Sequence, residues 1–446
     1  MIKRFFLRIR FYHRIVSAFW QKRKRLVIVG FLAGIASFFL IYYFFNFKQE
    51  KIEKIGLVGK FTLNELPLEI QRLISDGLTE VNPDGSPQPS LSNSWETKND
   101  GKEYLFTLKD GIFWQDGKPV SATEVDLRFS DVATSTIGQK TLRFQLKEPF
   151  SPFPVVTSRP IFKKGLIGTG DYKVKSIKRN GEIVEKLVLT PAKDKTKAQK
   201  IFRFYPTEET ARMGFKLGEV EQLEEIVIPE DLLGWKNVQV NEEVKKNRFV
   251  AVYFNTDNPQ LGDKSTRQAL AYAIEKKIEN RALNSFNPDS WAYNKDVKPY
   301  EYDLENAKKL LFSSSNGETK ESLKEIELST FSSLLSIAEG IKKDWESLGI
   351  STKIKVVSFP SEDFQALLAT QEIPPDPDQY LFWHSTQTTN ISHYKSPKLD
   401  KLLEDGRKNL SQEERKIIYL DFQRFLVEDT PAVFLFHPTV YNLSKR

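Results

Sequence analysis

The chain has 446 residues, 40% of them apolar and 28% charged, which excludes a wholly disordered protein and exceeds one ordinary domain. It has no cysteine and only four histidines (His13, His384, His393 and His437), so a disulfide framework, a zinc–thiolate centre and a thiol nucleophile are excluded. The net charge is +7, yet nine cations and no acid fall in residues 1–25, so the remaining residues sum to −2 and the basic balance does not point to nucleic acid.

Residues 26–45, LVIVGFLAGIASFFLIYYFF, carry no charge. A helix of that length spans about 30 Å, roughly one hydrocarbon core. Tyr42 and Tyr43 stand near its outer end, and the preceding cations place the N-terminus in the cytoplasm. No small-x-small site follows, so an uncleaved signal anchor fits better than a cleaved signal peptide. The reading is therefore a basic cytoplasmic segment (1–25), a transmembrane anchor (26–47), a stalk (48–55) and an extracytoplasmic remainder, in a single-pass protein of the cell membrane. The cations of 1–24 are interleaved with Phe5, Phe6, Leu7, Ile9 and Phe11, which suits either an amphipathic helix on the inner leaflet or a solvated topology signal.

Beyond the stalk, alternation at 104–109 predicts a strand, and Asp110-Gly111 and Asp116-Gly117 flank a second short one at 112–115. Ser121 and Glu124 form a capping-box pattern opening a helix through Val125 and Phe129. Strands are expected at 202–205 and 249–254, and helices at 208–217, closed by Gly218, and after Asp263, with Leu270, Ala273, Ile274 and Ile278 in line. Another helix is capped by Asp303. Residues 326–328, the helix face Leu334, Ala338, Ile341, Trp345 and Leu348, and alternation over 350–357 make a β-α-β unit, so at least one lobe is α/β. After Pro374, Pro375 and Pro377, the run 380–383 reads as a short apolar strand. Helices opened by Ser396-Pro397 and by Ser411 with Glu414 follow, then a last strand at 433–436.

These stretches line up with a known family. Residues 89–131, PSLSNSWETKNDGKEYLFTLKDGIFWQDGKPVSATEVDLRFSD, resemble the opening signature of the family 5 extracellular solute-binding proteins, the peptide, nickel and oligosaccharide receptors of ABC importers. GTGDYKV (168–174) resembles the family's Gly-Thr-Gly-Pro-Tyr, with Asp171 in place of proline. TEETARMGFKLGEVE (207–221), YFNTDNPQLGDKSTRQALAYAI (253–274), WAYNKDVKPYEYDLENAKKLL (291–311) and the tail from Trp345 match in order. The resemblance implies two α/β lobes around a cleft, a chain that crosses between them twice, and a reduced extra domain. It places lobe one at 56–254 with 432–446 returning to it, and lobe two at 255–431.

The resemblance also implies a function. The chain is expected to bind a peptide or other small solute in the cleft and deliver it to an ABC permease and its ATPase, without chemistry of its own. Relatives often hold the ligand's α-amino group with an aspartate in an acidic, proline-containing loop after Gly-Trp. Matching that Trp to Trp383 leaves 385–390 without an acid, so the aspartate does not carry over. The cleft candidates are Trp383, His384, Trp291 and Tyr293, each with core or surface packing as the plainer alternative. Trp114 suits packing, and Arg267 a salt bridge. His384 with His393 lacks a third metal ligand, so no metal, cofactor or catalytic residue is assigned. Against a hydrolase, there is no G-x-S-x-G and no H-E-x-x-H. An extracytoplasmic sensor or scaffold without import, and a nickel- or oligosaccharide-type receptor, are the alternatives.

Overall fold

The computed structural model describes residues 17, 20, 22–26, 28–40, 42, 51–127, 129–276, 279–312, 323–359 and 363–446. The expectations for most of the basic segment, for Tyr43, for Ile278 and for the first part of the stalk lie outside the described residues. Residues 22–26 and 28–40 are helical, with Val29, Phe31 and Phe38 exposed. Among the described residues no helix is long and apolar enough to cross a membrane.

Most of the chain, residues 53–196 and 200–446, forms a separate compact unit built on two α/β sheets and a smaller β-sheet. In the larger sheet, strands Val238–Val244, Thr439–Lys445, Gln222–Ile226, Ile52–Val58, Gln199–Tyr205, Ile183–Pro191 and Tyr172–Asn180 lie side by side in that order. Alternation sends neighbouring side chains to opposite faces. Phe204 thus joins the core under helix Leu68–Ile74 with Ile70, Ile74 and Leu187, while Tyr205 joins the core under helix Glu208–Leu217 with Ala211, Phe215 and Leu223. The latter helix has the expected ends: Thr207 caps it and Gly218, at φ 80°, closes it. The GTG motif serves close packing. A Cβ on Gly168 would stand 2.0 Å from the Ile74 carbonyl, so only glycine lets this segment meet the helix end. Gln115 ties the same place together by donating to the carbonyls of Ile74, Gly170 and Tyr172.

The five-stranded sheet runs Ser351–Val356, Glu325–Thr330, Ala366–Glu372, Arg248–Phe254, Ala432–Phe436. The β-α-β unit is present: Glu325–Thr330 and Ser351–Val356 pair in parallel, with helix Leu335–Ser347 between them. All five residues of the predicted apolar stripe are buried, and the Trp345 indole donates to the Leu270 carbonyl at 3.1 Å. Asp263, Asp303, Ser396 and Ser411 each accept a backbone N–H in the first turn of their helices.

The four-stranded antiparallel sheet, Ser92–Lys98, Glu103–Leu108, Thr141–Leu146, Val132–Ile137, packs aromatic rings on Phe153. Phe144 and Phe153 meet at 5.1 Å between centroids. Trp114 is buried here, as expected of a packing residue.

Three short elements differ from expectation. The helix from Ser121 is a single 3-10 turn, Ala122–Glu124. Ser121 does accept a backbone N–H, but Val125 is already extended. Residues 112–115 make an isolated bridge between Phe113 and Pro119 rather than a strand. Tyr380–Trp383 is one helical turn, because the N–H groups of Trp383 and His384 are satisfied by the Gln379 and Tyr380 carbonyls within the segment.

The points where the chain changes sheet also differ. Arg248–Phe254, expected in lobe one, pairs with Ala366–Glu372 and Ala432–Phe436 in the five-stranded sheet. The return strand to the larger sheet is Thr439–Lys445, not 433–436. Both changes occur within a few residues, at 245–247 and 437–438.

Candidate functional site

The structure separates the four cleft candidates. Trp383 is 3% exposed, stacked on Tyr253 at 6.0 Å and edge-on to Phe434 at 6.2 Å, inside the core of the five-stranded sheet. His384 is 4% exposed. It stacks on Tyr380 at 4.1 Å and is held by Thr386 at 2.9 Å and Glu404 at 3.4 Å. His393 faces a different acid, Asp257, at 3.5 Å. Tyr293 is partly buried against the same core, where burial pushes its phenol above the ordinary value. Trp291 is the candidate that lines a cavity.

That cavity, of about 210 Å³, is lined by the four-stranded sheet, by Trp291, and by Asp376, Leu410 and Arg415 from beyond the strand Ala366–Glu372. Trp95 and Tyr104 come from the sheet. Trp291, Asp376 and Arg415 face them. The Arg415 guanidinium lies 5.3 Å over the Trp291 ring and donates to Asp376 at 2.6 Å and to the Gly406 carbonyl at 2.9 Å. Both charged groups are buried. Burial pushes the Asp376 carboxyl up, Arg415 opposes this, and the attraction keeps the guanidinium protonated.

Asp376 belongs to the segment Ile373-Pro374-Pro375-Asp376-Pro377-Asp378, an acidic, proline-containing loop directly after a strand. Its composition is that of the loop which the family resemblance led one to expect after Trp383, but it stands before Trp383. Its two acids are engaged. Asp376 takes Arg415, and Asp378 takes Arg407 at 2.6 Å, with the Arg407 guanidinium 4.1 Å over Tyr380. The pairs pin the loop to helices Pro397–Lys408 and Gln412–Asp429.

The turn 82–86 meets this loop. Asp84 accepts from the Ser86 N–H at 2.9 Å and hydroxyl at 2.6 Å, which lowers its carboxyl pKa, and its carbonyl accepts from the Trp291 N–H at 3.1 Å. Gly85 has φ 89°, and a Cβ there would stand 2.4 Å from the Pro375 carbonyl oxygen. Nearby, the Ser151 N–H donates to the Arg407 carbonyl at 2.8 Å. The Ser151 hydroxyl adds a bond to the same carbonyl at 3.1 Å, and the other contacts here are of main chain with main chain.

Where the chain changes sheet, the two connections bond to each other: the Lys245 N–H donates to the Pro438 carbonyl at 2.9 Å. Glu225 of the larger sheet accepts from Lys245 at 2.9 Å and Arg248 at 2.8 Å, and Arg248 also reaches Glu372 at 3.3 Å. Burial alone pushes the Glu225 carboxyl up, but these cations outweigh it and hold it below the usual 4.5. Beside it, Glu224 lines a cavity of about 430 Å³ and is pushed up by burial. Arg267, expected in a salt bridge, is 2% exposed and donates to carbonyls of Leu261, Gly262, Asp429 and Thr430 instead.

The model of the bacterial extracellular solute-binding proteins, family 5 (Middle), matches residues 86–392. The oligopeptide-binding protein OppA of Bacillus subtilis (strain 168) is 22% identical over 454 residues, covering 82% of each chain. The dipeptide-binding protein of Escherichia coli (strain K12) is 24% identical, covering 79% of this chain and 81% of its own. Among solved structures, NikZ from Campylobacter jejuni in complex with Ni(L-His) superposes with a TM-score of 0.73 at 23% identity, covering 90% of this chain and 95% of that one. AppA from Bacillus subtilis in complex with a nonapeptide gives 0.68 at 19% identity, covering 90% and 95%. At such identities the structural likeness shows the fold.

Proposed function

Because the chain belongs to the family 5 bacterial extracellular solute-binding proteins, the substrate-binding proteins of peptide and nickel ABC importers, we propose that it is a membrane-anchored receptor that binds peptides between two lobes and hands them to a permease. The observation that carries the peptide reading is similarity to proteins named for oligopeptide and dipeptide binding, over about four-fifths of both chains. Family members are solute-binding proteins rather than enzymes, and this chain is read the same way.

In this reading lobe one is the seven-stranded sheet and lobe two the five-stranded sheet, with the crossings at 245–247 and 437–438 as the hinge. The four-stranded sheet is the reduced extra domain. Ligand binding favours the state in which the turn 82–86 rests on the 373–378 loop, and a ligand shifts that equilibrium only by its greater affinity for the closed state. The acids of that loop are already paired with arginines, so the ligand's amino group is bound elsewhere, and main-chain recognition dominates.

The anchor is part of the proposal. Residues 26–45 are uncharged, the cations precede them, and the described helix 28–40 exposes its apolar side chains. Carbonate extraction of native membranes should leave the full chain in the pellet. Release into the supernatant would contradict anchoring.

The function is tested by thermal unfolding of the full chain in neutral detergent with pools of short peptides, and separately with nickel–histidine. A peptide present at a hundred times its dissociation constant stabilises the folded state by about 2.7 kcal/mol. A rise in melting temperature with peptides and none with nickel–histidine is expected. The reverse pattern would make it a metal-chelate receptor, and no response to either would favour a sensor or scaffold.

A further inference from the structure

The seven-stranded sheet carries a row of like charges on its uncovered half. Lys178, Lys186 and Arg203 stand directly opposite one another on three adjacent strands. Like charges in register across strands repel, so the row is a cost to the empty sheet. The row lies on the outer face: the adjacent residues Ile177, Leu187 and Phe202 form the neighbouring row that packs inward. On that outer face helix Glu208–Leu217 covers the sheet around Tyr205 and Leu223. Over the strands Ile183–Pro191 and Tyr172–Asn180 lies an open groove of about 780 Å³.

The groove is built for negative charge. Lys60, from the turn after Ile52–Val58, is a fourth cation in its lining, against one acid, Glu185. Glu185 holds Lys178 at 2.7 Å, and Glu219 holds Arg203 at 3.2 Å from outside the groove. Lys60 and Lys186 have no ion-pair partner among the described residues. Strands are about 4.8 Å apart, so the row spans about 10 Å, more than one carboxylate covers. Its length suits an anion with several charges in line, and the guanidinium at one end suits phosphate oxygens.

We propose that this groove binds an anion bearing more than one phosphate group, at a site separate from solute binding. Two sources share that chemistry: a soluble polyphosphate, and the clustered headgroups of anionic phospholipid.

The test uses the full chain in phosphatidylcholine nanodiscs at low salt. Sodium tripolyphosphate is titrated calorimetrically, and co-sedimentation is measured with phosphatidylcholine vesicles with and without phosphatidylglycerol. The variant Lys60→Gln/Lys178→Gln/Lys186→Gln is compared with a charge-matched control, Lys353→Gln/Lys355→Gln/Lys401→Gln, whose lysines are exposed on other elements. The N-terminal cations contribute equally in all three proteins. Loss of about tenfold in affinity in the groove variant, with the control like wild type, is expected. Such a loss for tripolyphosphate assigns a soluble polyanion, and for the phosphatidylglycerol vesicles alone it assigns lipid headgroups. Absence of binding to both probes, or equal binding by all three proteins, would overturn the proposal. Should the triple variant be unstable, Lys186→Glu at the centre of the row makes the same comparison. Peptide-induced stabilisation is unchanged in every variant if the sites are separate.

Discussion

The two α/β sheets and their surroundings are joined in two very different ways. At the crossing, two strands of main chain pass within hydrogen-bonding distance of each other, and Glu225, Lys245, Arg248 and Glu372 surround them with charge. At the far contact, the turn 82–86 accepts one main-chain hydrogen bond from Trp291 and meets the 373–378 loop at Gly85, and Ser151 donates its N–H and hydroxyl to the Arg407 carbonyl. Flexing of the crossing leaves its partners close, because each connection passes from one sheet to the other within a few residues, at 245–247 and 437–438. In the proposed function it is the far contact that a ligand acts on. Its precision depends on the buried Asp376–Arg415 pair, which holds the loop in the shape that Gly85 meets.

The sharpest way to break this comparison is at that pair. Arg415→Met leaves Asp376 buried without its partner and should lower stability by about 3–5 kcal/mol in denaturant unfolding, whereas Arg415→Met with Asp376→Leu recovers much of it. Equal losses in both variants would mean that the pair does not set the loop. Next comes the contact itself. Gly85→Ala places a Cβ against the Pro375 carbonyl at a positive φ, and should weaken peptide binding about tenfold, roughly 1.4 kcal/mol, with little change in melting temperature of the unliganded protein.

The crossing should answer to pH instead. The pKa of Glu225 is depressed in the folded chain, so its stabilisation is complete above about 4.5 and is lost as pH falls through the depressed value. The partial exposure of its partners limits the effect to about 1 kcal/mol. Glu225→Gln should therefore flatten the acid side of the melting-temperature profile relative to wild type, and parallel profiles would show that the cluster carries no stability. The smallest effect belongs to Ser151→Ala, about 0.5 kcal/mol, because the main-chain bond to Arg407 remains.

The legible parts of the fold were those with long periodic signals or chemical ends. The stripe from Leu334 to Leu348, the caps at Asp263, Asp303, Ser396 and Ser411, and the parallel pair around them all follow from side-chain spacing. Strands such as Tyr172–Asn180, Val132–Ile137 and Val238–Val244 are mostly exposed and carry few apolar residues, so periodicity does not mark them. A run of four apolar residues, Tyr380–Trp383, fits a strand or a helical turn equally, and the structure makes it a helical turn. Trp383 and His384 are buried, and the pair that lines the cavity, Asp376 and Arg415, stands on a loop and a helix that sequence spacing does not bring together. The signal that finds the loop is the alternation of 366–372 leading directly into Pro-Pro-Asp-Pro-Asp. Trp291 stands in one of the family-like stretches, but Trp95 and Tyr104, which line the same cavity, come from a sheet some 190 residues earlier, which spacing cannot reveal.

The most direct test of the account is native mass spectrometry of the full chain, released from detergent as isolated from its own cells. The account predicts a family of bound masses separated by amino-acid residue masses, lost after mild unfolding and refolding. A single discrete adduct of a metal complex, or a chain that carries nothing and gains nothing from added peptides, would contradict it.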